Sequence, residues 1–298
     1  MDDPGFRRLK DCRIAIVGVG LMGGSLGLDL RGQCAERVGV ARSPRTLAAA
    51  QAQGMIDRSA DFDTAVEDCD FIILATSPRT ILTQLRALAQ KPALGSVPKV
   101  VLDLGSTKTD IVAAMDALPA HFDPVGGHPM CGKEVSGVAA AEAGLYRGHT
   151  FILTPLPRTS AAALSLAQEL VTRVGAKPLL LRAERQDALA AQISHLPYVA
   201  AVALMRTAQA AGDDQIWEVA ASGFRDTSRL AASDLTMMLD ILLTNREAVL
   251  RALASYRAEC EQLTRLIEAG DEADLRAALA PAQAKRSELF QQPKNRQP

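Results

Sequence analysis

Short apolar runs punctuated by turn residues fill the first half of the chain, and helical periodicity fills the second. Ile14 to Val17 are apolar at consecutive positions, as in a parallel strand covered on both faces, and beyond a glycine turn Leu21, Leu26, Leu28 and Leu30 continue as a helix. Residues 37–41, 71–75, 100–104, 123–126 and 150–153 predict further strands. Between them, Ser43 is placed to cap a helix that has Pro44 at its first position and Gly54 past its end. Pro155 and Pro157 mark a break, and from Ser160 onward only residues 177–181 interrupt the helical period. Residues 184–211 are apolar nearly all round, the pattern of a buried helix, and residues 240–269 form a long amphipathic stretch. Pro281 precedes a polar tail, residues 291–298, expected to fray.

The first turn reads Gly18-Val19-Gly20-Leu21-Met22-Gly23, a G-x-G-x-x-G between a strand and a helix. Gly18 suits the tight turn, Gly20 the approach of a pyrophosphate, and Gly23 close packing of helix on strand. The phosphates then meet the helix N-terminus around Leu21 and Met22. NAD recognition places an acidic residue about 20 residues further on. Here the tract is Ala41-Arg42-Ser43-Pro44-Arg45, and two guanidiniums with a hydroxyl suit the 2′-phosphate of NADP. Thr76-Ser77-Pro78 and Gly105-Ser106-Thr107-Lys108 follow strands at two more junctions, where open α/β sheets bind ligands, so both point into one crevice. The expected fold is an α/β Rossmann-type domain over residues 1–157 and an all-α domain over 158–298.

Composition narrows the function. With 33 basic and 34 acidic residues the net charge is −1, which provides no general field for nucleic acid or an anionic membrane. Aromatics are 4% of the chain, too few for a base-stacking surface. Five cysteines without a C-x-x-C fit free thiols in a reducing compartment and no structural metal site. With no signal-peptide pattern in residues 1–12 and no uninterrupted apolar membrane span, the cytoplasm is the expected location. Burial of the 184–211 helix on every side, in so small a domain, points to a homodimer.

Two histidines stand in informative contexts. His128, in Gly126-Gly127-His128-Pro129, is expected on a rigid loop after a strand, on the cofactor side, where an imidazole of ordinary pKa near 6.5 suits general-base work. His195 lies two residues before Pro197 in a helical stretch and reads equally as a site or a core residue. In Gly223-Phe224-Arg225-Asp226-Thr227-Ser228-Arg229, an arginine is either half of a structural ion pair or a bidentate grip on a substrate carboxylate. Ser106 is either a helix cap or a donor to substrate.

Taken in order, the glycine turn, Gly105 to Lys108, Gly127-His128-Pro129-Met130-Cys131-Gly132-Lys133-Glu134, Ile193-Ser194-His195-Leu196-Pro197 and Gly223 to Arg229 resemble the prephenate and arogenate dehydrogenase family of tyrosine biosynthesis. The motifs span residues 13–260, and the last one, with the Arg42-Ser43 tract, looks most like the NADP-dependent arogenate branch. The resemblance implies a Rossmann domain followed by a helical dimerisation domain. It implies that His128 takes the proton of the ring C4 hydroxyl as hydride leaves for the nicotinamide and carbon dioxide is lost, and that Ser106 bonds the same hydroxyl. It assigns a substrate carboxylate to Arg229, with His195, Asp226, Lys108 and Glu134 around it. The chain departs from the family in carrying Met237 and Met238 where a tryptophan is frequent. Three competing readings are an NAD-dependent prephenate dehydrogenase, a β-hydroxyacid dehydrogenase or imine reductase, which would use a lysine base, and a silent NADP-binding sensor, which would need neither His128 nor Arg229.

Overall fold

The computed structural model describes residues 8–93, 97–133 and 135–290. Eight strands form one sheet: β1 (Arg13–Val17), β2 (Glu36–Val40), β3 (Arg58–Ser59), β4 (Phe71–Leu74), β5 (Lys99–Asp103), β6 (Phe122–Pro129), β7 (Thr150–Pro155) and β8 (Lys177–Leu180). The spatial order is 3-2-1-4-5-6-7-8, with every pairing parallel except β6 against β7. Order reverses beside β1, at the switch point where open sheets bind ligands. Helices α1 (Leu21–Asp29), α2 (Pro44–Ala52), α3 (Phe62–Asp68), α4 (Pro78–Ala89), α5 (Thr109–Asp116) and α6 (Ala161–Arg173) connect the strands and cover the sheet. Ile14, Ile16, Phe71 and Ile73 are buried in one layer with α1 and α6, and Ala15, Val17, Ile72 and Leu74 in the other with α3 and α4. This accounts for the unbroken apolar runs.

Three features differ from the sequence expectation. β8 pairs with β7, so the sheet continues past residue 157, where the domain boundary was placed; the prolines make only a tight turn in which Leu156 N–H donates to Thr159 Oγ1 at 2.8 Å. His128 lies within β6, opposite Ile152 of β7, not on a following loop. β6 outruns β5 because its antiparallel partner supplies backbone bonds where β5 has ended. The stretch 240–269 is two helices, broken at Asn245.

Past the sheet come α7 (Ala183–Ala190), one π-helical turn (Ala191–His195), α8 (Leu196–Ala210), α9 (Gln215–Val219), α10 (Ser222–Ser228), a 3₁₀ turn (Arg229–Ala232), α11 (Leu235–Thr244), α12 (Arg246–Ala269) and α13 (Glu272–Phe290). The stretch Ala183–Ala210 is long and apolar enough to cross a membrane, yet only Tyr198 and Ala201 of α8 are buried within the chain. The expectation that it is covered on all sides is thus not met by this chain alone. Residues up to Val249 form one compact unit; those from Leu250 form a second, made of the rest of α12 and of α13, which continues through Pro281. The tail 291–298, expected to fray, lies outside the described residues.

Candidate active site

The strand-turn-helix after β1 fits a dinucleotide. Gly18 has φ +103°, and a Cβ there would lie 2.6 Å from the Ala75 carbonyl oxygen. A Cβ on Gly23 would lie 1.9 Å from the Gly18 carbonyl oxygen, whereas one on Gly20 would meet nothing within 4 Å. Two glycines are thus required by the protein's own packing, and the third borders open space where a phosphate can approach the N-terminus of α1. At the end of β2, Arg42 and Arg45 are exposed and no carboxylate stands between them; Ser43 Oγ accepts Thr46 N–H at 3.3 Å as the α2 cap.

A cleft of about 690 Å³ opens at this turn, a size suited to a small-molecule ligand. Gly20, Leu21, Met22, Thr76, Ser77 and Pro78 line its cofactor side. Ser106, His128 and His195 line it further in, and Tyr198, Leu230, Met237, Met238 and Ile241 make its helical wall. Sequence reading thus brought the glycine turn, the Thr76 to Pro78 junction, Ser106 and both histidines to one place. A segment after β6 is pinned over α1 by Tyr146, whose hydroxyl donates to the Met22 carbonyl at 2.6 Å, and by Gly144 N–H to Asp29 Oδ1 at 2.7 Å. It carries Lys133 to the cleft, where it is the cationic side chain among the described lining residues, ion-paired to Glu142 at 2.7 Å. Cys131 lines the same segment, with its thiol pushed up to about 11 by burial, too high for a ready nucleophile.

Other expected residues sit elsewhere. Lys108 is fully buried and ion-paired to Asp103, which also accepts Gly105 N–H at 2.7 Å and Gly127 N–H at 3.0 Å. Burial pushes the lysine down and the aspartate up, against their mutual attraction. Lys108 therefore braces the Ser106 loop against the His128 strand and is not among the lining residues. Ser106 does not cap α5, because the carboxylate of Asp187 does so. Asp226 is exposed on α10 and paired to Arg225 at 3.1 Å, and Arg229 is exposed on the 3₁₀ turn, next to lining Leu230 in sequence; neither lines the cleft in the single chain. Glu134 lies outside the described residues.

Gln186, Asp187 and Asn245 were not picked out by sequence reading, yet they stand directly behind the cleft. His128 Nδ1 is 3.3 Å from Gln186 Oε1, and His195 Nδ1 is 3.1 Å from Asn245 Nδ2. Burial, and next the Lys108 cation, lowers His128 to about 3, against a smaller upward pull from its Gln186 bond. Burial lowers His195 to about 4. Both rings are neutral at physiological pH. His195 closes the π-helical turn, a distortion that often marks a functional position. The arrangement can bind a dinucleotide, present a neutral imidazole to a hydroxyl, and enclose an apolar ring.

Both halves of the chain are similar to known proteins. Residues 26–180 match the family model of the prephenate dehydrogenase nucleotide-binding domain, and residues 182–281 that of the prephenate dehydrogenase dimerization domain. A prephenate dehydrogenase of Bacillus subtilis is 32% identical over 278 residues, covering 91% of this chain and 74% of that protein. A cyclohexadienyl dehydrogenase of Zymomonas mobilis is 31% identical over 266 residues, covering 87% and 89%. The crystal structure of prephenate dehydrogenase from A. aeolicus, in complex with hydroxyphenyl propionate and NAD+, superposes with a TM-score of 0.86 at 31% identity, covering 95% of this chain and 100% of that one. Synechocystis arogenate dehydrogenase gives 0.78 at 28%, covering 93% and 100%.

Proposed function

The chain belongs to the prephenate dehydrogenase family, and we propose that it catalyses the NADP-dependent oxidative decarboxylation of a cyclohexadienyl substrate, arogenate to tyrosine and also prephenate to 4-hydroxyphenylpyruvate. The observation that carries this reading is the meeting of a neutral histidine, His128, and Ser106 with the glycine turn in one cleft. When bound, the nicotinamide supplies the acceptor for the hydride that leaves ring carbon C4. His128 takes the proton of the C4 hydroxyl, which becomes a carbonyl as the hydride departs. The bond to the ring carboxylate then breaks, carbon dioxide leaves, and the electron pair enters the ring, which becomes aromatic and takes a proton on its oxygen. Ser106 hydrogen-bonds the same hydroxyl and holds it toward His128. Aromatisation drives the reaction, so the protein mainly positions and polarises.

Cation pairing holds the substrate carboxylates: Lys133 from the cleft wall, and Arg229, with His195 and Asp226 in its surroundings. Glu134, six residues after His128, is proposed to favour the ammonium group of arogenate. Arg42 and Arg45 with Ser43 support NADP, because paired donors suit a 2′-phosphate and no carboxylate is present there to receive a ribose hydroxyl. The exposed apolar residues of the helical region, among them Ile193, Val219, Leu235 and Leu243, together with the match to a dimerization domain, support a homodimer. We place the end of the nucleotide-binding domain after β8, near residue 180, and the enzyme in the cytoplasm, in keeping with five cysteines that form no disulfide. Initial rates for arogenate and prephenate with NADP and with NAD test the reading. Faster turnover of arogenate with NADP is expected, and no turnover of either substrate with either cofactor would overturn it.

A further inference from the structure

Two buried amides determine where the protons sit on the two histidines of the cleft. Gln186 Nε2 is 3.1 Å from the Ser106 carbonyl oxygen and 3.1 Å from Asp187 Oδ1. A backbone carbonyl and a carboxylate only accept, so this atom is the NH₂ of the amide and both of its protons are used. The amide oxygen therefore faces His128 Nδ1 at 3.3 Å. An amide oxygen only accepts as well. Nδ1 carries the ring proton, and Nε2, on a side chain that lines the cleft, keeps its lone pair.

Asn245 imposes the reverse. Its Nδ2 is 2.9 Å from the Asp187 carbonyl oxygen and 3.1 Å from His195 Nδ1. The carbonyl identifies this atom as the NH₂, and its second proton goes to His195 Nδ1, which must then hold a lone pair. The single N–H of neutral His195 is on Nε2. Both amides are buried, with Gln186 at 0% and Asn245 at 5% exposure, so water does not compete for these bonds. Asp187 links them: its carboxylate receives Gln186 and its carbonyl receives Asn245.

We propose that Gln186 and Asn245 are positioning residues that lock the two histidines in opposite tautomers, so that His128 presents a proton acceptor and His195 a hydrogen-bond donor to the bound cyclohexadienyl substrate. The inference rests on the reading that His128 takes the hydroxyl proton. That proton passes from the substrate oxygen to His128 Nε2, and the imidazolium so formed keeps its Nδ1–H on the Gln186 oxygen. His195, as a donor, cannot compete for the same proton and is free to bond a substrate oxygen. A neutral amide behind His128 sets the tautomer without the added proton affinity that a carboxylate would bring. The surrounding charges are Asp103 and Lys108, paired with each other, and Asp187, already occupied by the Lys108 and Thr109 amides and by Gln186.

The test is nitrogen NMR of ¹⁵N-histidine-labelled full-length protein at neutral pH without substrate, with His128→Asn and His195→Asn used only to assign signals. The expected wild-type spectrum shows a protonated, pyrrole-type Nδ1 and a pyridine-type Nε2 for His128, and the reverse for His195. The same tautomer on both rings, or a proton on His128 Nε2, overturns the proposal without any variant having to fold. Gln186→Met should then move His128 toward the other tautomer and lower kcat about 10-fold with KM nearly unchanged, as for loss of one buried hydrogen bond. Asn245→Leu should release the His195 tautomer and act mainly on KM. A Gln186→Met enzyme that keeps both the wild-type tautomer and the wild-type kcat also overturns it. Because the spectra need no substrate, failure here is distinct from failure of the proposed reaction, which the wild-type rates decide separately.

Discussion

Asp187 caps helix α5 from 78 residues further along the chain: its Oδ2 accepts Thr109 N–H at 2.8 Å and the Thr109 hydroxyl at 2.5 Å, and its Oδ1 accepts Lys108 N–H at 2.7 Å. Position Lys108, where a capping side chain would stand, has no acceptor to offer. The N-terminal half of α7 thus holds the loop that carries Ser106 through Asp187, and the residue before it is Gln186. Asp187→Ala should lower unfolding free energy by about 3 kcal/mol, the combined loss of a cap and of bonds to a charged acceptor. Denaturant titration measures this; an unchanged midpoint would show that the cap is dispensable.

Lys108 follows a Gly-Ser-Thr run that reads like a substrate loop, but the buried pair with Asp103 gives it a structural task. Lys108→Ala leaves a buried carboxylate without its cation and should cost about 3 to 5 kcal/mol of stability. KM for substrate should stay near wild type in whatever fraction folds. A variant of normal stability with a raised KM would return Lys108 to substrate binding.

The two candidates for holding a substrate carboxylate separate by mutation. Lys133→Ala should raise KM about 10-fold with kcat little changed, the loss of one charge-assisted bond to a flexible lysine already paired with Glu142. Arg229→Ala should raise KM more strongly, with NADP affinity in a fluorescence titration unaltered. Loss of the fold or of the dimer in Arg229→Ala would mark it as a structural ion-pair member instead.

Arg42→Ala should raise the NADP KM by a factor equivalent to about 2 to 3 kcal/mol and leave NAD kinetics almost untouched, as for a charged hydrogen-bonded contact to the 2′-phosphate. Equal losses with both cofactors would remove Arg42 from cofactor discrimination.

What could be read from the sequence follows the range of the forces involved. Local patterns marked the turn at Gly18 to Gly23, the cap at Ser43, and the apolar strands, because each is decided by residues next to one another. The strand end bearing His128 looks like loop in the sequence because β6 is extended there by β7, a non-local pairing with no period of its own. Gln186 and Asp187, within Glu184-Arg185-Gln186-Asp187, look like the solvated face of a helix start. Only folding brings that face under the Ser106 loop and buries it. Asn245 was hidden for the opposite reason: hydrophobic periodicity runs on through it, while its side chain leaves the helix pattern to bond Asp187 and His195. For Lys108 the motif was visible and its partner was not, since Asp103 sits inside an apolar run where a carboxylate is unexpected.

The central claim is that His128, held neutral, accepts the proton of the substrate hydroxyl, and the pH dependence of kcat/KM at saturating cofactor tests it most directly. A pKa lowered to about 3 means that the base form persists as the pH falls, so the wild-type profile should stay level well below the ordinary histidine value near 6.5 and decline only below about pH 4. His128→Asn, which keeps a polar side chain without a titratable nitrogen, should be slower by about 100-fold to 10,000-fold across the whole range, with the acidic decline abolished and NADP binding intact. A His128→Asn enzyme of near-normal rate, or one that keeps the wild-type acidic decline, would contradict the account.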